Sequence, residues 1–220
     1  METIEFIKSR KSFRQFKPEI PPREVIMECL DAAVWAPSPG NQQSSKFIVL
    51  TGSSLKQVCE TMETHYADCM EELDKLPEPR VSPETLKQLD VRNQETLSRM
   101  INDLSAHDID LQVVGNGNFN FYYAPMAVLF ATYPEKLHSR LKAAAAALEN
   151  FMLAAFARGL GTCWMSAVSV CQEPIKQTLK LDPDLILVDG VAVGYPAADS
   201  PLNQFKRMRL PSEQFIEWRG

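Results

Sequence analysis

The stretch KLHSRLKAAAAALENFMLAAFARGLGTCWM, residues 136–165, decides the class of fold. It predicts a long helix over Lys136–Arg158, because an alanine run leads into a largely apolar segment and Gly159 then ends the helix. The apolar character after Ala143 extends around the helix, which predicts burial on most of its sides. A short strand is predicted at Thr162–Met165, so a buried helix leads almost directly into a sheet.

Helices and strands alternate along the rest of the sequence. Apolar residues that recur on one face indicate helices, and short β-branched or aromatic runs indicate strands. Helices are predicted at residues 22–36, 55–73, 84–108 and 173–181, and strands at Lys46–Thr51, Ala127–Thr132 and Leu185–Val193. This interleaving is typical of either an α/β or an α+β protein.

Three segments are predicted to lie outside the regular core. Asn116–Asn120 is dense in glycine and asparagine, which predicts a loop. Residues 197–220 are predicted to be irregular. The helix predicted at 84–108 is polar, which is typical of a mobile or peripheral insertion.

The overall composition limits the classes of protein that the chain can represent. Its 220 residues, 45% hydrophobic and 23% charged, are typical of an ordinary globular protein, most simply one domain. The formal net charge of −5 argues against a basic nucleic-acid-binding surface. The first residues carry acids where a signal peptide carries bases, and the longest apolar runs are too short to cross a membrane. We therefore expect a cytoplasmic protein without nucleic-acid or membrane partners.

The cysteines and histidines give no sign of a metal or disulfide site. The five cysteines are odd in number and none form a C-x-x-C pair, which indicates reduced thiols. None of the three histidines has a second histidine at helical spacing, so no metal site is predicted.

Two basic clusters stand at opposite ends of this acidic chain. They are Arg10-Lys11-Ser12-Phe13-Arg14 and Lys206-Arg207-Met208-Arg209. Guanidinium groups offer paired donors to phosphate, and a serine hydroxyl adds a short oriented one. The alternative interpretation is two solvated surface runs. No phosphate loop of the G-x-x-x-x-G-K-[ST] type and no G-x-G-x-x-G motif competes with them.

A polar loop follows Pro37, between the predicted helix at 22–36 and the predicted strand at Lys46–Thr51. Its compact polar residues include Ser38, Asn41 and Gln43. A loop held at both ends by core elements suits ligand contact, although an ordinary connector has the same composition.

Four segments together resemble the FMN-dependent nitroreductase family. Residues 4–16 resemble its R-R-S-x-R-x-F start, and residues 32–43 resemble its A-A-x-x-A-P-S-x-x-N-x-Q loop. Residues 159–165 resemble its G-L-G-x-x-W segment, and Gly194–Ala197 with the later Arg207–Pro211 resembles its G-Y-P turn and basic C-terminus. Each segment is weakly specific alone, but the four occur in order over nearly the whole chain.

The resemblance implies a fold and an assembly. It implies an α+β, three-layer fold with a central mixed β-sheet flanked by helices, in a single domain over residues 1–220 with a helical insertion at about 62–118. It also implies an intertwined homodimer with FMN at the subunit interface. The chain departs from the family at Ser44-Ser45, where Pro-Trp is common, and at Ser166, where an acid or glycine is found.

The resemblance also implies which residues bind the cofactor. From the chain ends these are Arg10, Lys11, Ser12, Arg14, Arg207 and Arg209. Of these, Arg14 would lie near flavin N1 and O2, and the other arginines and Ser12 would surround the phosphate. From the partner subunit they are Pro37, Ser38, Asn41 and Gln43. Beside the isoalloxazine they are Trp164, Met165 and Ser166.

The implied activity is that of an FMN-dependent NAD(P)H oxidoreductase. It would reduce nitroaromatics or quinones by a ping-pong mechanism, with NADH or NADPH as the electron donor. No catalytic side chain is predicted, because the flavin carries the chemistry. Two alternatives remain open on the same scaffold: an enone reductase or reductive dehalogenase, and a flavin-binding protein without turnover.

Overall fold

The structure, a computed structural model, describes residues 2–77, 81–204 and 207–220. In chain order the elements are α1 (Thr3–Ser9), α2 (Arg23–Val34), β1 (Lys46–Thr51), α3 (Gly52–Asp74), α4 (Pro83–Ala106), α5 (Leu111–Gly117), β2 (Met126–Thr132), α6 (Ser139–Ala157), β3 (Gly161–Met165), α7 (Ala167–Val170), α8 (Gln172–Leu179), β4 (Ile186–Gly194) and α9 (Pro201–Gln204). Short 3-10 turns occur at Pro39–Asn41, Phe121–Tyr123 and Ser212–Gln214.

The four strands form one sheet in the order β1-β2-β4-β3. Each neighbouring pair is antiparallel, with Met126 opposite Val193 and Gly161 opposite Gly194. An isolated parallel bridge between Ser12 and Thr162 lies outside these strands, so the described strands pair only in antiparallel fashion and the predicted mixed sheet is wrong. The predicted α+β class is confirmed.

Helices cover both faces of the sheet, which gives the predicted three layers. Every residue of β2 is buried, because alternate side chains enter cores on opposite faces. Leu129 packs in a core that includes residues of α3, α7 and α8. Phe130 points the other way, into a core with α2 and α6, where its ring centroid lies 5.6 Å from that of Phe151.

The long helix α6 is the buried helix that the sequence predicted, but it begins at Ser139 rather than at Lys136. His138 adopts a left-handed conformation with φ of 54°, which prevents the helix from starting earlier. The Glu135 carboxylate accepts hydrogen bonds from the Ser139 hydroxyl and the Arg140 backbone N–H. These bonds satisfy a donor at the helix start and lower the pKa of Glu135.

The loop predicted at Asn116–Asn120 is wrong in its first part, because helix α5 runs through to Gly117. The Asp110 carboxylate accepts a hydrogen bond from the Gln112 backbone N–H at 2.9 Å and caps this helix. The Tyr122 hydroxyl donates to the Val114 carbonyl at 2.9 Å, and its ring leaves no space for a Cβ at Gly117. A tertiary contact therefore stabilises a helix that local composition disfavours.

All five cysteines are free thiols in the structure. Among the described residues, no helix combines the length and the apolar character needed to span a membrane.

Candidate functional site

The N-terminal basic segment lies along the edge strand β3. The Phe13 backbone N–H donates to the Thr162 carbonyl at 2.9 Å, and the Lys17 N–H donates to the Tyr195 carbonyl at 2.8 Å. A Cβ on Gly161 would lie 2.8 Å from Cγ of Phe13, so only glycine permits this approach. The Gly-Leu-Gly-Thr segment thus positions the first basic cluster.

The buried side chain of Asn203, only 3% exposed, joins the two ends of the chain. Its Oδ1 accepts from the backbone N–H groups of Arg14 at 2.8 Å and Gln15 at 3.3 Å. Its Nδ2 donates to the carbonyls of Gln15 at 2.7 Å and Ala197 at 2.8 Å. The Lys11 ammonium also donates to the Asn203 carbonyl. Asn203 was not predicted from the sequence, since no motif surrounds it.

Arg207 brings the second basic cluster onto the first. Its guanidinium donates to the carbonyl oxygens of Lys8 and Arg10. Burial, followed by the nearby positive charges of Arg209 and Arg10, lowers the pKa of Arg207. This cation would therefore be stabilised by a bound anion. Lys206, predicted within this cluster, lies outside the described residues.

The two clusters line a cavity of about 260 Å³, which we call the chain-end cavity. Its lining residues are Lys11, Ser12, Arg14, Thr96, Arg99, Met100, Leu202, Asn203, Arg207, Met208 and Arg209. Five of these are cations and none is an acid, so the cavity attracts anions. Three of the lining residues, Thr96, Arg99 and Met100, come from α4, so this largely exposed helix contributes side chains to the cavity.

Arg10 does not line the chain-end cavity. Its side chain, 15% exposed, turns toward α6, and its Nε lies 3.4 Å from Oε1 of Glu149. The sequence could not show this ion pair, because the two residues are far apart along the chain.

Two buried residues beside Arg14 were not predicted from the sequence. The Arg14 guanidinium lies 5.8 Å from the ring centroid of Tyr122, and burial raises the pKa of that phenol. Tyr122 belongs to a run of three left-handed residues, Phe121–Tyr123, which is costly for non-glycine side chains. Burial also raises the pKa of Cys163, opposed by the charge of Arg14 and a hydrogen bond with Ser12.

The loop residues Pro37, Ser38, Asn41 and Gln43 lie away from the chain-end cavity within one chain. The Gln43 backbone N–H donates to Oγ of Ser38 at 3.0 Å. Asn41 and Gln43 both have positive φ, 55° and 47°, so the loop is tightly wound. Their predicted role in a partner's site stays a prediction.

The segment Trp164–Ser166 also lies outside the lining of the chain-end cavity. Trp164 is 37% exposed, and its indole N–H donates to Oδ2 of Asp189 at 2.5 Å. Burial raises the pKa of Asp189, opposed by the hydrogen bonds from Trp164 and Ser169. Met165 is fully buried and Ser166 is exposed at the start of α7. Asp189 was not predicted from the sequence.

The layered fold and the cationic cavity define an α+β protein with an anion-attracting site built from its two chain ends. The model of the Nitroreductase family matches residues 7–195. The chain belongs to that family.

Several characterised proteins are similar over nearly the whole chain. The 4-nitrobenzoate reductase of Nocardioides sp. (strain LMS-CY) is 25% identical over 214 residues, 96% of this chain and 87% of that protein. The nitrobenzene nitroreductase of Ectopseudomonas oleovorans is 25% identical over 217 residues, 96% and 94% of the two chains. The crystal structure of the FMN-dependent nitroreductase NfnB from Mycobacterium smegmatis, in complex with NADPH, gives a TM-score of 0.79 at 21% identity, covering 99% and 97%. At that identity the structural likeness shows the fold.

Proposed function

We propose that this protein binds FMN in the chain-end cavity and uses NADH or NADPH to reduce nitroaromatic compounds. The observation that carries this proposal is the convergence of cations from both chain ends on one cavity without an acid. Guanidinium and hydroxyl groups are the donors that a phosphate monoester accepts from. The residues present therefore fit FMN, and the relatives named as nitrobenzene and 4-nitrobenzoate reductases support the substrate class.

The proposed contacts follow from where the side chains lie. Ser12, Arg207 and Arg209 line the cavity and would hold the phosphate, which carries nearly two negative charges. Arg10 would contribute its charge from beside Arg207, while its guanidinium remains paired with Glu149.

Arg14 would act on the other end of the cofactor. The chemistry that FMN would supply when bound is hydride transfer between NAD(P)H and the acceptor. The Arg14 guanidinium would supply a fixed positive charge where negative charge accumulates near N1 and O2. Because the Arg14 backbone is bound to Asn203, this charge is positioned before the ligand arrives.

We further infer that residues 1–220 act as one domain in a homodimer. In this assembly the loop with Pro37, Ser38, Asn41 and Gln43 would complete the partner's site, because that loop does not reach its own chain-end cavity. Trp164, Met165 and Ser166 would flank the flavin. The donor and the acceptor, including quinones, would use the same site in turn, a ping-pong order.

The first experiment is reconstitution of the purified protein with FMN, followed by anaerobic titration with NADH and NADPH. We expect a yellow protein whose visible absorbance bleaches on titration and returns when nitrobenzene or 4-nitrobenzoate is added. A protein that stays colourless with FMN contradicts the proposal. Steady-state rates with a quinone, an enone and a halophenol then test the alternative substrates.

A further inference from the structure

Arg99 is a cation of the chain-end cavity that belongs to neither chain end. It lies on α4, and its side chain is 57% exposed. Its Nη2 is 2.6 Å from Oε1 of Glu95, one turn earlier, and its Nη1 is 3.0 Å from the sulfur of Met208. A guanidinium has five N–H donors, and these contacts use two of them.

Neither contact of Arg99 stabilises the fold enough to explain why an arginine is present at this position. An exposed i,i+4 ion pair with Glu95 stabilises a helix by only about 0.3–0.5 kcal/mol, and a thioether is a weak acceptor. Arg92 on the same helix differs, because its Nη2 donates to the Gln214 carbonyl at 3.0 Å and its guanidinium lies 5.1 Å from the Phe215 ring. Arg92 does not line the cavity.

The cavity carries more positive charge than one phosphate requires. Its lining has five cations, against the nearly two negative charges of a phosphate monoester. Arg207 and Arg209 on the C-terminal segment account for that phosphate in the proposed function. Arg99 adds charge from a separate element, so the cavity can accept a second anionic group.

The neighbours of Arg99 suit an aromatic ligand with a charged substituent. Met100 also lines the cavity, and a thioether makes favourable contacts with aromatic rings. The Thr96 hydroxyl lines the same wall one turn earlier, although it donates to backbone carbonyls of its own helix. This wall combines one cation with one polarisable apolar side chain.

We propose that Arg99 binds the negatively charged group of the ligand that enters the cavity beside FMN, an inference that rests on the proposed function. The anionic group is the carboxylate of an aromatic acceptor or a phosphate of the nicotinamide dinucleotide. Arg99 is thus a specificity residue that selects anionic ligands over neutral ones of the same shape.

The test measures the binding of non-reacting ligands to the FMN-loaded protein. Two ligand pairs are titrated, each with a charged member and a less charged one: benzoate with benzamide, and NADP⁺ with NAD⁺. The proteins are wild type, Arg99→Gln and the matched control Arg92→Gln, and flavin absorbance reports binding. We expect Arg99→Gln to weaken either benzoate or NADP⁺ about tenfold, with benzamide and NAD⁺ changed less than about twofold. Weaker binding of benzoate would identify a carboxylate as the group that Arg99 binds, and weaker binding of NADP⁺ would identify a phosphate. Arg92→Gln should match wild type.

Three outcomes would overturn this role of Arg99. Equal weakening of charged and neutral ligands, or unchanged binding of both anions, would show that Arg99 does not distinguish ligands by their charge. A loss of FMN affinity in Arg99→Gln as large as that in Arg207→Ala would place Arg99 in the cofactor's phosphate site. Failure of the proposed function is distinguishable, because the wild-type protein would then not retain FMN.

Discussion

The chain-end cavity has two walls that are held in different ways. The wall made by the chain ends is hydrogen-bonded to the sheet at Thr162 and joined internally by the buried amide of Asn203. The wall made by α4 belongs to a helix in which Leu104 is the only buried residue among those described. The first wall is therefore placed by the core, and the second is a surface helix that contributes side chains. We infer that the first suits a cofactor required in every turnover, and the second suits the choice of substrate.

The largest effect is expected from Asn203→Ala, which removes the link between the chain ends. It removes four partly buried hydrogen bonds that the amide makes with backbone groups of Arg14, Gln15 and Ala197. Each such hydrogen bond contributes about 0.5–1.5 kcal/mol net, so the loss of four should lower the free energy of unfolding by about 3 kcal/mol, and FMN affinity should fall with it. Urea denaturation and FMN titration measure both. Asn93→Ala, on the exposed face of α4, is the control. Similar effects in the two variants would contradict the difference between the two walls.

Arg207→Ala should have the next largest effect, on cofactor retention. Losing one charge-assisted interaction with a phosphate costs about 1.5–3 kcal/mol, which corresponds to a roughly ten- to 150-fold weaker FMN complex. Recovery of flavin fluorescence on dilution of the complex gives the dissociation constant. Arg207→Lys should recover part of the loss because it keeps the charge. Equal FMN affinity in wild type and Arg207→Ala would contradict the assigned phosphate site.

Gly161→Ala tests the attachment of the first wall to the sheet. The new methyl group would lie 2.8 Å from the ring of Phe13, and such overpacking costs about 1–3 kcal/mol. Gly115→Ala is the matched control, since a Cβ there meets open space within α5, and alanine should be neutral or stabilising. Thermal unfolding of both variants measures the difference. A Gly161→Ala protein as stable as wild type would mean that the basic segment is not held at this point.

The smallest effect is expected from Leu97→Gln, which lies on α4 outside the cavity lining. Leu97 is 51% exposed, so its replacement should change the free energy of unfolding by less than about 0.5 kcal/mol and leave FMN affinity unchanged. Chemical denaturation at several protein concentrations is the measurement. A loss above about 1 kcal/mol that depends on concentration would show that α4 is covered in a dimer, and the two walls would then be equally buried.

Strong local signals predicted most of the elements. The strand at Lys46–Thr51 was predicted with the bounds that the structure has, because apolar residues are followed at once by Gly52 and two serines. The errors occur where a specific side-chain contact or a left-handed residue, rather than local composition, decides where a helix begins or ends. Glu135 and the left-handed His138 set the start of α6, and the Tyr122 ring holds α5.

The candidate site likewise contains residues that the sequence predicted and residues that only the structure revealed. The sequence showed two basic clusters against an acidic chain, and the resemblance to the family then implied cofactor binding by Lys11, Ser12, Arg14, Arg207 and Arg209, which line the cavity. Asn203, Cys163 and Tyr122 carry no such signal, and each owes its position to contacts across the fold. Arg10 was predicted with the others, but its ion pair with Glu149 depends on how α6 packs.

By itself, the sequence determined most helices and strands and the charge of its two basic ends, because side-chain periodicity and charge are properties of the local chain, and its resemblance to the family implied the layered α+β fold. The tertiary structure alone decided that these ends meet at one cavity, that Asn203 joins them, and that α4 places Arg99 beside them. Contacts between residues nearly two hundred positions apart depend on packing the whole chain, and no local pattern records them.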